Sequence, residues 1–300
     1  LFFSSEPKVF FEMSLVQPKL NKNLLGEYFA NGWIYEPDTL FKNIKKVEAG
    51  HYLEIDLSKT SIQNKKYWDI TYYDKSNIPD IEKIIDNQTI SDVPVGIYFS
   101  GGIDSSIIAF RLRGGNYKYL NLNLNDTESE RVKDFEELYG IKVNKINYEK
   151  NSLELYNTLI YHLDEPIADP AVIPAYLLAK ASKDFGCTVM LSGMGGDEID
   201  AGYTRHKILL NPFFYKVVSY IPSFKFLKGK LIRDLNRLKS FFYEPSPHNY
   251  FSLTSYFSKD EIDKLIGKTW QSNYRTKIEN LVGGCDGLKK YFYLDFKGFL

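Results

Sequence analysis

The rhythm of apolar and polar positions changes near residue 79 of this 300-residue chain. Before that point the apolar runs are short and of mixed period. Residues 1–13 predict two brief strands broken at Pro7, and Asn21 to Ala30 carries helical spacing closed by Asn31-Gly32. Residues 50–57 and 61–68, rich in Tyr, Ile and Leu, predict a hairpin or strand pair. These pieces suit the edge of an antiparallel sandwich. The polar, Pro-bounded stretch from Tyr72 to Pro79 predicts a linker.

From Pro79 onward strands and helices alternate, the grammar of a parallel sheet with helices on its faces. The spacing predicts helices over 79–88, 104–113, 128–139, 153–162 and 174–185. Strands are predicted over 93–99, 117–124, 141–148 and 187–191. Gly114-Gly115 and Gly140 supply helix ends. Beyond Tyr203 the chain turns Phe- and Lys-rich and mainly helical. Residues 207–239 hold Lys207, Lys216, Lys225, Lys228, Lys230, Arg233, Arg237 and Lys239 against Asp234 alone. They read as a helical subdomain with a basic surface, with contact to an anionic membrane as the alternative.

Composition narrows the class. A hydrophobic content of 44% is enough to bury one large domain or two smaller ones. A formal net charge of zero argues against nucleic acid as an obligate partner. Two cysteines, Cys187 and Cys285, without metal-type spacing fit a reducing compartment, and the cytoplasm is the expected location. No secretion-type segment and no apolar run long enough for a transmembrane helix stands out. Oligomeric state cannot be read from the residues.

The chemistry concentrates at two strand ends. The apolar run Val93 to Phe99 leads into Ser100-Gly101-Gly102-Ile103-Asp104-Ser105-Ser106, and a helix follows. Backbone N–H groups and a positive helix end converge there, which suits a polyanion. Gly101 and Gly102 let backbone approach phosphate oxygens, and Ser100, Ser105 and Ser106 carry hydroxyl donors. No Lys closes the loop as in GxxxxGK[ST]. An aspartate inside an anion cradle repels phosphate unless a cation lies between them. Asp104 therefore points to Mg²⁺ bridging to the pyrophosphate part of ATP.

The second strand, Cys187 to Leu191, runs into Ser192-Gly193-Met194-Gly195-Gly196-Asp197-Glu198. Strand carboxyl ends of an open α/β sheet share one edge, where ligands bind. If both strands belong to one sheet, Asp104 and Asp197 are the candidate catalytic and metal-binding carboxylates. Asp197 reads otherwise as a helix N-cap, and Glu198 either shares the duty or caps the helix. Ser192 and Gly193 are candidates to contact adenine or ribose. The histidines His51, His162, His206 and His248 show no ligand spacing and read as structural.

Three stretches together resemble the synthetase domain of the glutamine-hydrolysing asparagine synthetase family: SGGIDSS at 100–106, HLDEPIADPAVIPAYLLAK at 162–180 and LSGMGGDEIDAGYTRHK at 191–207. The first alone marks a wider superfamily of pyrophosphate-releasing ATP enzymes, including NAD, GMP and argininosuccinate synthetases. The later block narrows it. Ser4 to Lys8, Tyr35 to Phe41 and Glu48 to Leu53 are similar to the end of the glutaminase domain that precedes the synthetase domain.

The resemblance implies an α/β fold: a parallel-sheet, adenine-nucleotide alpha-hydrolase-like (PP-loop) domain over 79–300, after an incomplete α+β glutaminase remnant over 1–72. It implies ATP and Mg²⁺, adenylation of a carboxylate, pyrophosphate release, and amide formation with glutamine-derived ammonia. The partners implied are small molecules alone. A cysteine nucleophile ahead of Leu1 and a Lys- and Arg-bearing segment beyond Leu300 are also implied, so the chain reads as a piece of a longer enzyme. Neither Cys187, in a predicted core strand, nor Cys285, in a Gly-rich turn, replaces that nucleophile.

At the family's adenine pocket stand Leu122, Asn123 and Leu124, which read alternatively as core. The acceptor loop falls on Asp164-Glu165-Pro166 to Asp169-Pro170-Ala171, with Asp164, Glu165 and Asp169 as candidate substrate contacts and Arg205 as a carboxylate binder or surface cation. Asparagine-forming members carry a Thr- and Arg-containing pattern in this loop, and several relatives carry an acidic residue where Met194 stands. L-Aspartate is the expected acceptor, with another carboxylate, such as a sugar acid or peptide intermediate, as the alternative. A non-catalytic nucleotide-binding module is the reading from another class.

Overall fold

The computed structural model describes residues 1–70, 79–123, 126–147, 153–199, 201–210, 213, 237–239, 241, 246–272, 274, 276, 282 and 287–299. The chain packs as two compact units. One comprises Tyr73–Leu163 and Asp169–Gly196; the other comprises Leu1–Tyr72, Asp164–Ala168 and Asp197–Leu300. The linker expected at 72–79 lies, apart from Pro79, outside the described residues, as do Leu124, Cys285 and most of the basic stretch 207–239.

The first unit is built on a four-stranded sheet of order β5-β4-β3-β6, where β3 is Val95–Tyr98, β4 Lys118–Asn123, β5 Val143–Asn147 and β6 Val189–Leu191. Every neighbouring pair is parallel. Parallel strands need crossovers, and helices supply them. Helix α4 (Ile103–Arg111) joins β3 to β4, α5 (Asp126–Tyr139) joins β4 to β5, and α6 (Leu153–Leu163) and α7 (Val172–Asp184) lie between β5 and β6. Before the sheet, α3 (Ile81–Gln88) starts at Asp80, whose side chain accepts from the Lys83 N–H at 3.1 Å.

The interior strands are buried through most of their length, as expected of a sheet covered on both faces. Ile97, Phe99, Tyr119 and Val143 pack with Ile85, Ala109, Leu112 and Val132 into one core. Asn121 is buried in this core and donates to the Phe99 carbonyl at 2.8 Å, which holds the end of β3 in register just before the glycine loop. On the outer surface Arg111 bonds Asp86 at 2.9 and 2.5 Å and Glu82 at 2.6 Å, fastening α4 to α3.

In the second unit the first residues depart from expectation. Residues 1–13 do not form two strands: Lys8–Glu12 is a helix, α1, with Pro7 at its N-cap in helical conformation. A proline at a helix start has its φ preset for the turn and loses no internal bond. Phe11 packs edge-on against Phe41 with ring centroids 4.7 Å apart. Helix α2 is Leu25–Asn31, preceded by a 3₁₀ turn over Lys22–Leu24 and closed by Gly32 at φ +88°. Strands β1 (His51–Asp56) and β2 (Ser61–Lys66) form an antiparallel hairpin. Ala30 shares a small core with Ile262 and Trp270, and a larger one gathers Phe241, Tyr250, Phe251, Val282, Tyr291, Tyr293 and Leu294.

Candidate functional site

The loop after β3 is organised by its own serines. Ser105 Oγ donates to the Gly102 carbonyl at 3.1 Å and accepts from the Ser100 N–H at 3.2 Å. It also lies 3.0 Å from Ser100 Oγ, which in turn accepts from the Gly102 N–H at 3.2 Å. Gly101 sits at φ +75°, a conformation that side-chain-bearing residues resist. Its free Cα face backs onto α5, where a Cβ would come within 3.1 Å of Arg131 Cβ. The loop thus turns sharply from strand into α4, whose first intrahelical amide bond runs from Ser106 N to the Gly102 carbonyl at 3.0 Å. The N–H groups of the first turn have no acceptor within their own helix, and they carry the positive end of its dipole.

The second loop comes to this same place. A Cβ on Gly193 would stand 2.7 Å from Asp104 Cβ and 2.8 Å from Ser105 N. A Cβ on Gly196 would stand 2.6 Å from Asp104 Cγ and 2.7 Å from its Oδ1. The glycines of the SGMGG run therefore lie directly against the aspartate of the first loop, an approach only bare backbone permits. Sequence periodicity suggested that the two strand ends share an edge; contact at Asp104 is what the fold adds. The strands responsible, β3 and β6, are sheet neighbours, with Ile97 opposite Leu191. Ser192 accepts from the Met194 N–H at 3.3 Å, and Met194 points outward with 78% of its surface exposed. Leu122 is buried near the end of β4, and Asn123 accepts from Ser129 Oγ at 2.6 Å.

Asp197 and Glu198 belong to the other unit. Asp197 lies in the short helix α8 (Gly196–Ile199) and packs against Gly202, whose N–H donates to the Asp197 carbonyl at 3.1 Å. Glu198 is buried and accepts from the Tyr203 hydroxyl. Burial together with that carboxylate pushes the Tyr203 phenol well above its ordinary range. Among the described residues no group of three or more His, Cys, Asp and Glu forms a metal-type cluster.

The acceptor-side candidates have partners inside the chain. Asp164 pairs with Lys8 at 3.1 Å. Glu165 pairs with Lys46 at 2.7 Å and accepts from the Leu40 N–H. Asp169 accepts from the Ala171 N–H at 2.8 Å at the start of α7. Arg205, in α9 (Thr204–Leu210), donates to Asp295 Oδ2 and Tyr250 Oη, each at 3.0 Å, and lies 3.8 Å over the Tyr203 ring. His206 Nε2 and Tyr250 Oη reach the same Asp295 oxygen at 2.5 and 2.6 Å. Burial works against the Arg205 charge, but Asp295 and Tyr250 outweigh it and hold the guanidinium above its ordinary value. Sequence reasoning missed Lys8, Lys46 and Asp295. All three lie far along the chain from the residues they bind, and no local motif marks them.

A parallel α/β sheet with a glycine-serine loop at one strand end and a second glycine loop against it defines the adenine-nucleotide alpha-hydrolase-like class. Residues 80–300 match the family described as Asparagine synthase, and residues 1–68 match the Glutamine amidotransferase domain. The chain belongs to the asparagine synthase family.

It is 30% identical over 266 residues to a protein provisionally named asparagine synthetase [glutamine-hydrolyzing] 2 from Methanocaldococcus jannaschii, covering 80% of this chain and 50% of that one. It is 29% identical to asparagine synthetase [glutamine-hydrolyzing] 1 of Bacillus subtilis, covering 71% and 36%. A third relative is the amidase chyE of Penicillium rubens, 27% identical over 68% of this chain and 34% of that one. The chain thus spans half or less of the length of these relatives. No helix among the described residues is long and apolar enough to cross a membrane.

Proposed function

We propose that the two loops hold ATP for the adenylation of a carboxylate, and that the full-length protein converts the acyl-adenylate to an amide with ammonia drawn from glutamine. The observation that carries this reading is the bare backbone of Gly193 and Gly196 against Asp104. It brings the hydroxyls and amide donors of the first loop, one carboxylate and the backbone of the second loop to one place. The donors fit the proposed ligand. Ser100, Ser106 and the Gly101 N–H are assigned to the pyrophosphate oxygens, while the Ser105 hydroxyl and the Gly102 N–H, bonded within the loop, are assigned to shaping it. Leu122, Ser192 and the Gly193 backbone are assigned to adenine and ribose.

Hard oxygen ligands suit Mg²⁺, and Asp104 is the residue of the sheet unit that would hold it; Asp197, the second expected ligand, belongs to the other unit. When bound, such an ion neutralises charge developing on the departing pyrophosphate. The acceptor carboxylate oxygen attacks the α-phosphorus as the bond to the β-phosphate oxygen breaks. Ammonia then attacks the acyl carbon and AMP leaves with the carboxyl oxygen. The loop's contribution is placement, together with amide dipoles fixed before charge develops. A cytoplasmic location is the proposed one, supported by ATP chemistry and by a buried Cys187 outside any disulfide.

L-Aspartate is the proposed acceptor, taken by the segment from Asp164 to Ala171. Of the four residues read as acceptor contacts, Asp169 is the one we assign to the acceptor itself. Asp164, Glu165 and Arg205 have charged partners in their own unit, and a placing role is assigned to them instead. A related amidotransferase acting on another carboxylate is the second reading, favoured by the outward-pointing Met194 and the Asp-Pro-Ala sequence of the loop. The test is AMP and pyrophosphate formation by the full-length protein with ammonia supplied and carboxylates screened singly. Stimulation by L-aspartate supports the first reading, and stimulation by another carboxylate alone supports the second. No pyrophosphate release with any carboxylate would overturn both.

A further inference from the structure

Residues 164–168 interrupt the sheet unit between α6 and α7, yet they pack with the N-terminal residues. Four ties hold them there. Lys8 reaches Asp164, Lys46 and the Leu40 N–H reach Glu165, and the Ala168 N–H donates to the Gly32 carbonyl at 2.8 Å. The joint is built rather than incidental. Glu165 is only 6% exposed, so its charge needs the partners it has. Asp164 adopts φ +65° just past the end of α6, a left-handed turn that Asp takes more readily than most side-chain-bearing residues. Gly32 must be glycine: a Cβ there would lie 3.3 Å from Ala168 Cβ and 2.7 Å from the Tyr256 ring, at a φ of +88°. A loop tip that served only to bridge two helices would have no use for two ion pairs and a backbone bond to distant residues.

We propose that Asp164 and Glu165 are positioning residues. They clamp the start of the acceptor segment to residues of the region that matches the glutamine amidotransferase domain, and so hold the backbone that leads into Asp169. The proposal rests on the functional reading above for its acceptor, but the clamp itself does not.

The experiment uses the full-length protein with Lys46→Met, Glu165→Gln and the conservative Lys46→Arg. Hydrogen exchange at the Ala168 amide reads the clamp without any activity. It should quicken about tenfold in Lys46→Met and Glu165→Gln and stay near wild type in Lys46→Arg. Unchanged exchange in the first two variants would overturn the clamp. The second readout is pyrophosphate release with L-aspartate as probe and ammonia as nitrogen source. The aspartate KM should rise about tenfold while the KM for ATP stays put. Quickened exchange with an unmoved aspartate KM, or equal loss at both substrates, would overturn the positioning role. If wild-type protein releases no pyrophosphate with aspartate, the acceptor reading fails, and the exchange measurement still decides the clamp.

Discussion

Asp104 and Asp295 both sit on helices, one in each packed unit, and they are used in opposite ways. Asp295 is 1% exposed, and Arg205, His206 and Tyr250 all converge on its Oδ2. Its charge goes into tying α9 to the helix Lys289–Phe299, and the fully buried His206 beside it leaves no room for a ligand. Asp104 stands in the first turn of α4, facing the backbone of Gly193 and Gly196 where any side chain would collide with it. One carboxylate is surrounded by large side chains that satisfy it. The other has the bare backbone of two glycines against it, in a loop whose serines offer small donors. Burial and partner size, more than charge, separate a structural acid from a binding one.

The largest effect expected falls on the structural member. Asp295→Asn leaves the Arg205 cation buried without its counter-charge, and should lower stability in chemical denaturation by about 3–5 kcal/mol. A loss within experimental error would show that the network is not what holds these helices. Next comes the glycine cradle. Gly196→Val places carbon on Asp104 and should weaken ATP binding by calorimetry about a hundredfold, with an overpacking cost of about 1–3 kcal/mol to the fold. Near-normal affinity would remove the contrast drawn between the two aspartates. Tyr250→Phe takes away one of the hydrogen bonds to Asp295 and should cost about 1 kcal/mol, well below Asp295→Asn.

The smallest effect is a pH dependence. Burial raises the Asp69 carboxyl, but hydrogen bonds from Lys297 and Lys66 outweigh it and hold the pKa at about 2, against an ordinary 3.8. A depressed carboxylate stabilises the fold above its unfolded pKa. That contribution should fade as pH falls from the ordinary value through about 2. Lys297→Met should flatten this acid limb of a stability–pH curve by lowering stability above the ordinary carboxylate range by about 1 kcal/mol or less, while leaving the acid end unchanged. An unaltered acid limb would show that Lys297 does not hold the group.

What could be read from the residues follows the range of the interactions. The glycine loop and the strands β3 and β6 are set by local grammar: an apolar run, then small residues, then a helix start. The parallel order of the sheet follows from strand–helix alternation. Helix α1 was not legible, because five residues after a proline carry too little periodicity to distinguish a turn of helix from a strand. Asp164 and Glu165 read as acceptor contacts because an acidic loop shows its charge, whereas the partners they have within the chain are not legible there. Lys46 lies 119 residues from Glu165, and Asp295 lies 90 residues from Arg205. Such pairings are made by the fold and leave no spacing to detect. The meeting of Gly193 and Gly196 with Asp104 belongs to the same class, except that two similar strand endings announced it.

The central claim is that Asp104 and the glycines around it form the nucleotide site. Carboxylate-dependent pyrophosphate release by the full-length protein, wild type against Asp104→Asn, tests it most directly. Asparagine keeps the size of the side chain and removes the charge that would hold a divalent cation. The account predicts release by the wild type and a loss of at least about a hundredfold in the variant, with the melting temperature within a few degrees of wild type. Equal release by the two proteins would contradict it.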